Sequence, residues 1–470
     1  MIKDSIRQNI TAFFSYSPNT EQYLAIHTLS EFLASRACNE VLLLKGYAGT
    51  GKTTILGATV KMMDALHRKV VILAPTGRAA KIFAEYADHG ASTIHKKIYR
   101  QNTGTGLQPG SLATLSSNLH HHTLFIVDEA SMISNERTEP SVFGSGCLLN
   151  DLVYYVYSGV DCRLILAGDT AQLPPVALTE SPALSAEYLK RYNLQVTEIQ
   201  LTQVVRQQEA SGILINATGI RNALQSGKID VYPTILTAGL ADIRKIDGSE
   251  LIEEIASAYS RDGIDDTMVV CRSNKNANRY NNGIRNRILY REEELSSGDR
   301  LMVVKNNYYW GGKEDMELDF IANGEIIQVL RVRKTENEYG FRFCNVLARF
   351  NDYDTEIELK ILLDALHSES PALSNEANAR LFTAINEAYA DVRSKTERIK
   401  KIKSDPYFNA VQVKYAYAVT CHKAQGGQWS NVFLDVGYVT EDMMGEDFYR
   451  WLYTAFTRAT KRLYLVNWRF

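Results

Sequence analysis

Eight short apolar runs set the frame of this chain: Val41–Leu44, Val70–Ala74, Leu124–Val127, Leu164–Ala167, Met268–Cys271, Ala416–Val419, Val432–Val436 and Leu463–Val466. Each has the length of a strand, most are rich in Val, Ile and Leu without polar alternation, and they end in polar, glycine-rich or acidic turns. A strand with one wet face alternates; a strand that does not must be covered on both faces, as in a parallel sheet. Helix-like stretches such as Thr53–His67 and Gly77–Tyr86 lie between the runs. The alternation predicts α/β layers with helices on both sides of the sheet.

The texture changes between about Arg300 and Pro406. Leu301–Val304, Glu325–Val332, Phe341–Leu347 and Glu356–Leu363 read as short strands separated by turns at Trp310–Lys313 and Asn323–Gly324, which predicts a small β-barrel. A strongly helical stretch follows from Asn375 to Lys403, and parallel-sheet texture returns at Tyr415. At 470 residues the chain is too long for one ordinary domain. The expected division is a first α/β domain over 1–195 with a small insertion at about 97–120. A second α/β domain follows, split into 196–299 and 409–470 by the barrel and helical segment at 300–408.

Hydrophobic residues make up 45% and charged residues 23% of the chain, a globular balance. No run of eighteen apolar residues exists, and the start, MIKDSIRQNI, has no signal-peptide core. The six cysteines are scattered with no CxxC spacing, so neither zinc nor a disulfide framework is signalled. The expectation is a reduced, cytoplasmic protein without a membrane partner. A net charge of −2 gives no global attraction to a polyanion, so any phosphate backbone must be met by charge gathered in one groove.

Gly46-Tyr-Ala-Gly49-Thr50-Gly51-Lys52-Thr53 fits GxxxxGK[ST] between a predicted strand and a predicted helix. Its glycines let backbone N–H groups close around phosphate oxygens at a helix N-terminus, with Thr54 next in line. Lys52 would reach the β and γ phosphates and Thr53 would ligate Mg2+. Asp128-Glu129 ends the run Leu124–Val127. There Asp128 would hold the metal and Glu129 would orient and deprotonate an attacking water. A guanine-reading NKxD is missing, since Asn274-Lys275-Asn276-Ala277 lacks the aspartate, so the nucleotide expected is ATP.

At this point the sequence resembles the superfamily 1B helicases, close to the RecD, Dda and Pif groups, from about Ser17 to the end. Asn19-Thr-Glu-Gln22 resembles the family's Q motif, which implies that Gln22 bonds adenine. Ala74-Pro-Thr-Gly-Arg-Ala-Ala80 and Ala91-Ser-Thr-Ile-His95 resemble its strand-contacting motifs, and Asp128-Glu-Ala-Ser-Met132 its acidic motif. Gly168-Asp-Thr-Ala-Gln172-Leu-Pro-Pro-Val176 resembles the coupling motif, where Gln172 would sense the γ phosphate. Leu201-Thr-Gln-Val-Val-Arg206-Gln207 and Tyr453-Thr-Ala-Phe-Thr-Arg458-Ala459 resemble the motifs that carry two arginine fingers, Arg206 and Arg458. Val419-Thr-Cys-His-Lys-Ala-Gln-Gly-Gly-Gln428 resembles one that touches both nucleic acid and nucleotide, the latter through Gln428.

The resemblance implies two RecA-like parallel-sheet P-loop domains, the second interrupted by an SH3-like barrel with a helical insertion. It implies ATP and Mg2+ as cofactors, single-stranded DNA and duplex junctions as partners, and 5′ to 3′ movement. Replication or recombination proteins are expected company. An RNA helicase of the same superfamily, or a nucleic-acid-stimulated regulatory ATPase that unwinds nothing, remains open.

A motor that reads no sequence grips phosphates and stacks on bases. Thr76, Arg78, Thr93 and His95 lie beyond predicted strands of the first domain, where α/β folds bind ligands. Asn274, Asn276, Thr420, His422 and Lys423 are the second-domain candidates, joined by Asn306 from Lys305-Asn-Asn-Tyr-Tyr-Trp310. Hydroxyl and amide side chains hydrogen-bond phosphate and sugar without needing net positive charge. Tyr308-Tyr309-Trp310 is expected to pack the barrel, and His120-His121-His122 to lead into the Leu124 strand.

In the helical stretch, Leu381, Ile385, Ala388, Val392, Ile399 and Ile402 recur at alternating four-and-three spacing. That predicts one helix with an apolar face, on the order of 40 Å long at 1.5 Å per residue. It is expected to project from the barrel toward the first domain. Six basic residues gather at its end: Arg393, Lys395, Arg398, Lys400, Lys401 and Lys403.

Overall fold

The computed structural model describes residues 2–468 except 15, 102–112, 138–143, 206–210, 308, 312–320 and 351–354. Each of the eight apolar runs falls wholly or partly on a strand. In the first sheet the spatial order is Ala91–Thr93, Lys69–Ala74, Thr123–Val127, Arg163–Gly168, Glu40–Gly46, Gln195–Leu201, with every pair parallel. The absence of polar alternation has its reason in the packing. Val41 and Leu43 face one apolar cluster while Leu42 and Leu44 face another on the opposite side of the sheet. Phe125 and Val127 divide from Leu124 and Ile126 in the same way.

The second sheet runs Ala418–Thr420, Thr267–Cys271, Trp429–Asp435, Ala459–Val466, Ile243–Ile246, again all parallel. Two outer strands, Gln195–Leu201 and Ile243–Ile246, lie beyond the eight runs. Their exposed polar residues hide the strand from a search for continuous apolar texture.

Arg300–Val303, Ile326–Glu338, Phe341–Phe350, Thr355–Leu362 and Val411–Tyr415 close a five-stranded barrel. The fifth strand comes after the helical segment and closes the barrel by a parallel pair with the fourth. The barrel interior and one face of the second sheet are a single apolar cluster, in which Leu301, Val329 and Ile357 pack with Val269, Ala418 and Phe433. A buried ion pair ties the barrel to the sheet. Arg285, on helix Asn274–Arg287, forks onto both carboxylate oxygens of Asp299 at 3.0 Å each, and the Tyr417 hydroxyl donates to Asp299 Oδ1 at 2.9 Å.

The expected 40 Å helix is instead two helices, Asn375–Ala388 and Lys395–Lys403. The break has local causes. Ser394 caps the second helix by accepting from Glu397 N, and the Arg398 guanidinium donates back to the Val392 carbonyl at 2.9 Å. The Tyr389 hydroxyl donates to Asp405 at 2.8 Å, folding the turn inward. The apolar stripe finds its partner on the barrel. Ala377, Leu381, Ile385 and Ile402 pack on Phe341, Phe343 and Leu362 rather than on the first sheet. Among the described residues no helix is long and apolar enough to cross a membrane.

Candidate nucleotide cleft and strand groove

The phosphate loop leaves the strand Glu40–Gly46 and enters helix Lys52–Ala65. Gly49 and Gly51 adopt φ of 74° and 87°, the left-handed region that glycine tolerates. A Cβ on Gly51 would meet Gln22 Nε2 at 2.4 Å. Gln22 is buried and works on the loop itself. Its side-chain carbonyl accepts from Asn19 N at 3.1 Å, completing a capping box, and its amide donates to the Thr50 carbonyl at 3.0 Å. Thr50 is buried, with its hydroxyl on the Tyr47 carbonyl at 2.8 Å, and Thr54 occupies the first turn of the helix. Lys52 Nζ donates to the carbonyls of Gly46 and Tyr47 at 2.6 and 3.1 Å, acceptors that a phosphate can replace.

Asp128 and Glu129 end the neighbouring-but-one strand. Thr53 Oγ1 lies 3.5 Å from Asp128 Oδ2, so a hydroxyl and a carboxylate converge where a Mg2+ ligand pair is expected. Burial, and then the adjacent Glu129 carboxylate, push the Asp128 carboxyl above its ordinary range, while Lys52 pulls it back. Glu129 itself holds φ of 52°, a left-handed conformation rare for a non-glycine residue and one that clusters at functional sites. Gln172 is buried, and its side-chain carbonyl has no hydrogen-bond partner among the described residues. A buried acceptor left open beside a phosphate loop fits a ligand or its bound water.

The second body meets the loop that carries Gln172 directly. Helix Glu446–Phe456 sends Arg450 to the Thr170 carbonyl, and Thr454 Oγ1 accepts from Leu173 N at 2.8 Å. Gln425 Nε2 donates to the Leu173 carbonyl at 2.7 Å. Arg458 sits deeper. It is fully buried, donating to the carbonyls of Thr454 and Gly427 at 3.0 and 3.2 Å and to Thr457 Oγ1 at 3.1 Å, all within the second body. Arg206 lies outside the described residues. Gln428 is exposed, and its backbone carbonyl accepts from Arg78 at 2.6 Å across the cleft. Arg78 also lies over the Trp429 ring at 4.2 Å.

The groove candidates divide. Thr76 caps helix Gly77–Ala87 and stands opposite Gly426 of the second body. Thr93 is buried, with its hydroxyl capping Ile94–Ile98. Burial pushes the His95 imidazole down to about 4, so it is neutral near pH 7 and can meet a phosphate only as a neutral hydrogen-bonding group. Asn274, Thr420 and Lys423 line one crevice with Lys414, Asn278 and Asn281. Burial depresses both lysines to about 8. The same cause lowers the exposed-edge His422, against a raising effect from Asp447. Asn276 faces a different crevice, with Arg279, Tyr280 and Asp435. Asn306 accepts from Asn323 N at 2.6 Å and holds the barrel turn. Trp310 packs into the barrel, its indole N–H on the Asn409 carbonyl at 2.9 Å, whereas Tyr308 lies outside the described residues. His120 meets the Phe125 ring edge-on and His122 pairs with Asp161 at 2.8 Å.

Residue-by-residue reading missed several groups that join the two bodies, among them Asp169, Arg450, Tyr453 and Thr454. The signal was present, since Asp169, Tyr453 and Thr454 lie inside motifs already singled out.

Two family models match the chain: an AAA domain over residues 19–233 and a UvrD-like helicase C-terminal domain over 415–466. The chain is 31% identical over 184 residues to the ATP-dependent RecD2 DNA helicase of Deinococcus radiodurans, covering 39% of this chain and 22% of that one. It is 23% identical over 406 residues to the ATP-dependent DNA helicase dda of Enterobacteria phage T4, covering 83% of this chain and 86% of that one. Among solved structures, the Bacteroides Pif1 helicase in complex with ADP-AlF3 and ssDNA is 15% identical with a TM-score of 0.47, covering 97% of this chain and 93% of that one.

Proposed function

Because the chain belongs to the superfamily 1B DNA helicases, we propose that it hydrolyses ATP to move 5′ to 3′ along single-stranded DNA and to open duplex ahead of it. The observation that carries this reading is the contact between the phosphate loop of one parallel sheet and a helix of the other, where Ala48 N donates to the Tyr453 hydroxyl at 2.9 Å. A ligand that reshapes the loop must shift the second body against the first, and that is the requirement for a mechanical stroke.

In this reading Lys52 leaves the carbonyls of Gly46 and Tyr47 for the β and γ phosphates. Gln22 holds the loop and offers its remaining N–H to adenine, with Gln428 at the rim. Glu129 takes the proton of the attacking water, and Gln172 turns its open carbonyl to that water, or its amide N–H to a γ-phosphate oxygen. A Mg2+ ion held by Thr53 and Asp128 would neutralise charge on the β and γ oxygens. Arg206 and Arg458 supply guanidinium charge to the γ-phosphoryl oxygens, Arg458 after release from Gly427 and Thr454. The strand lies between Thr76, Arg78 and His95 on one side and Asn274, Thr420, His422 and Lys423 on the other.

The test is unwinding of duplexes with only a 5′ or only a 3′ single-stranded tail, with and without ATP, beside ATPase stimulation by matched DNA and RNA strands. Opening of the 5′-tailed duplex with DNA-stimulated turnover is expected. Preference for the 3′ tail refutes the direction, stimulation by RNA alone refutes the substrate, and stimulation without unwinding marks a regulatory ATPase.

A further inference from the structure

Both residues that follow Gly46 at the head of the phosphate loop are held by the other body. Tyr47 is buried in the same apolar cluster as Ile220 and Tyr453. The Arg221 guanidinium stacks over its ring at 4.3 Å, and Gln225 Nε2 donates to its hydroxyl at 2.6 Å. Ala48 N donates to the Tyr453 hydroxyl at 2.9 Å. That hydroxyl in turn donates to Asp169 Oδ2 at 2.6 Å, and Asp169 Oδ1 accepts from Ala171 N at 2.9 Å. Tyr453 and Asp169 are each 1% exposed. One phenol oxygen therefore joins three segments: the phosphate loop, the loop that carries Gln172, and the helix that leads to Arg458.

A hydroxyl is the group this position needs. It must accept from a backbone N–H and donate to a carboxylate at the same time, which neither an apolar ring nor a carboxylate can do. Burial, then the Asp169 carboxylate, hold the phenol well above its ordinary range, so it keeps the proton it donates. We propose that Tyr453 is a positioning residue for nucleotide turnover, fixing the phosphate loop against the Gln172 loop and passing closure of the cleft to both at once. This role rests on the ATP-hydrolysis reading above.

A matched control stands one turn earlier on the same helix. Tyr449 is equally buried, and its hydroxyl donates at 2.7 Å to the Val231 carbonyl, within the second body. Tyr453→Phe and Tyr449→Phe each delete one buried phenol hydroxyl and leave the ring. Asp169→Asn keeps every heavy-atom position but presents an N–H to the Tyr453 hydroxyl and frustrates the bridge. If Tyr453→Phe fails to fold, Asp169→Asn carries the same test.

The experiment is steady-state ATP hydrolysis by the full chain with and without oligo-dT, with nucleotide affinity by fluorescent-ATP titration and Tm for each variant. Tyr453→Phe and Asp169→Asn should lose about tenfold in strand-stimulated kcat, the weight of one hydrogen bond, with KM within about threefold of wild type. Tyr449→Phe should lower Tm comparably and keep kcat within about twofold. Equal kcat in the two Tyr→Phe variants, or a loss carried wholly by KM, overturns the role. Absence of hydrolysis by the wild-type chain overturns the ATPase reading and this role with it.

Discussion

Gly51→Ala tests whether the phosphate loop is shaped as described. Gly51 holds φ of 87°, and its added Cβ would lie 2.4 Å from Gln22 Nε2. The left-handed backbone costs an alanine about 1–2 kcal/mol. Relieving the contact requires Gln22 to withdraw from the Thr50 carbonyl, which it meets at 3.0 Å, and losing that buried hydrogen bond costs about 1 kcal/mol more. The total is about 2–3 kcal/mol, or roughly 30- to 150-fold in an equilibrium constant. If the loop keeps its shape, the penalty appears as lost stability in denaturant melts. If the loop relaxes, it appears as weaker nucleotide binding in a fluorescent-ATP titration. Gln22→Ala should remove the contact part of the penalty, so the double variant should lose less than the sum of the singles. Gly90→Ala is the control, because nothing lies within 4 Å of its Cβ. Unchanged melting and unchanged affinity in Gly51→Ala, or strict additivity with Gln22→Ala, would refute the reasoning.

Lys52→Ala should weaken nucleotide binding and abolish turnover, while Glu129→Gln should keep binding and lose turnover; wild-type hydrolysis by either purified variant contradicts its role. Arg206→Ala and Arg458→Lys should each lower kcat by about a thousandfold or more, on the order of the weight of a γ-phosphate guanidinium, with nucleotide affinity held within about tenfold. The fully buried Ile385 joins the helical pair to the barrel, so Ile385→Ala should cost about 2–5 kcal/mol in a urea melt without changing nucleotide affinity; a loss under about 1 kcal/mol would mean the helices do not pack there. His95 is held near 4 in the folded chain against 6.5 when free, so the unfolded chain takes up the proton first as pH falls. Its contribution is fully present above about pH 6.5 and is lost toward pH 4, about 2 kcal/mol of it between pH 7 and pH 5. His95→Asn should flatten that limb of the stability profile, and an unchanged pH slope would show that His95 titrates freely.

Legibility followed burial. Strands covered on both faces announced themselves by apolar texture, because each residue answers to a cluster on one side of the sheet or the other, as Val41, Leu42, Leu43 and Leu44 do in turn. The edge strand Ile243–Ile246 did not, since its middle residues Arg244 and Lys245 are exposed. The helical segment shows a different limit. The spacing of Leu381, Ile385 and Ile402 is compatible with one long helix, yet Ser394 is an N-cap and Arg398 closes the turn before it. A single helix would hold Ile402 about 30 Å from Leu381, whereas the break at Ser394 brings both into one cluster with Phe341 and Phe343; apolar spacing alone does not separate the two arrangements, and the cap chemistry does.

The groove was harder to read, for a reason that lies in the chemistry. A helix N-terminus offers free N–H groups, and the Ser, Thr and Asn side chains that cap it are those that grip a phosphate. Thr76 and Thr93 both accept from backbone N–H groups of the helices they start, and Asn274 opens a helix that Ser273 caps. Residue type and position at a strand's C-terminal edge are therefore the same for a cap and for a ligand contact. What separates them is reach. The Thr93 hydroxyl serves its helix and the residue is 2% exposed, so a strand cannot approach it without unwinding Ile94–Ile98. Thr76 caps as well, but it stands at the boundary where Gly426 of the second body comes close enough that a Cβ there would lie 2.9 Å from its hydroxyl. Thr76→Val should therefore weaken strand binding in a salt series, whereas Thr93→Val should act through stability alone. Equal loss of strand affinity in two folded variants would place Thr93 in the groove and defeat the distinction by burial.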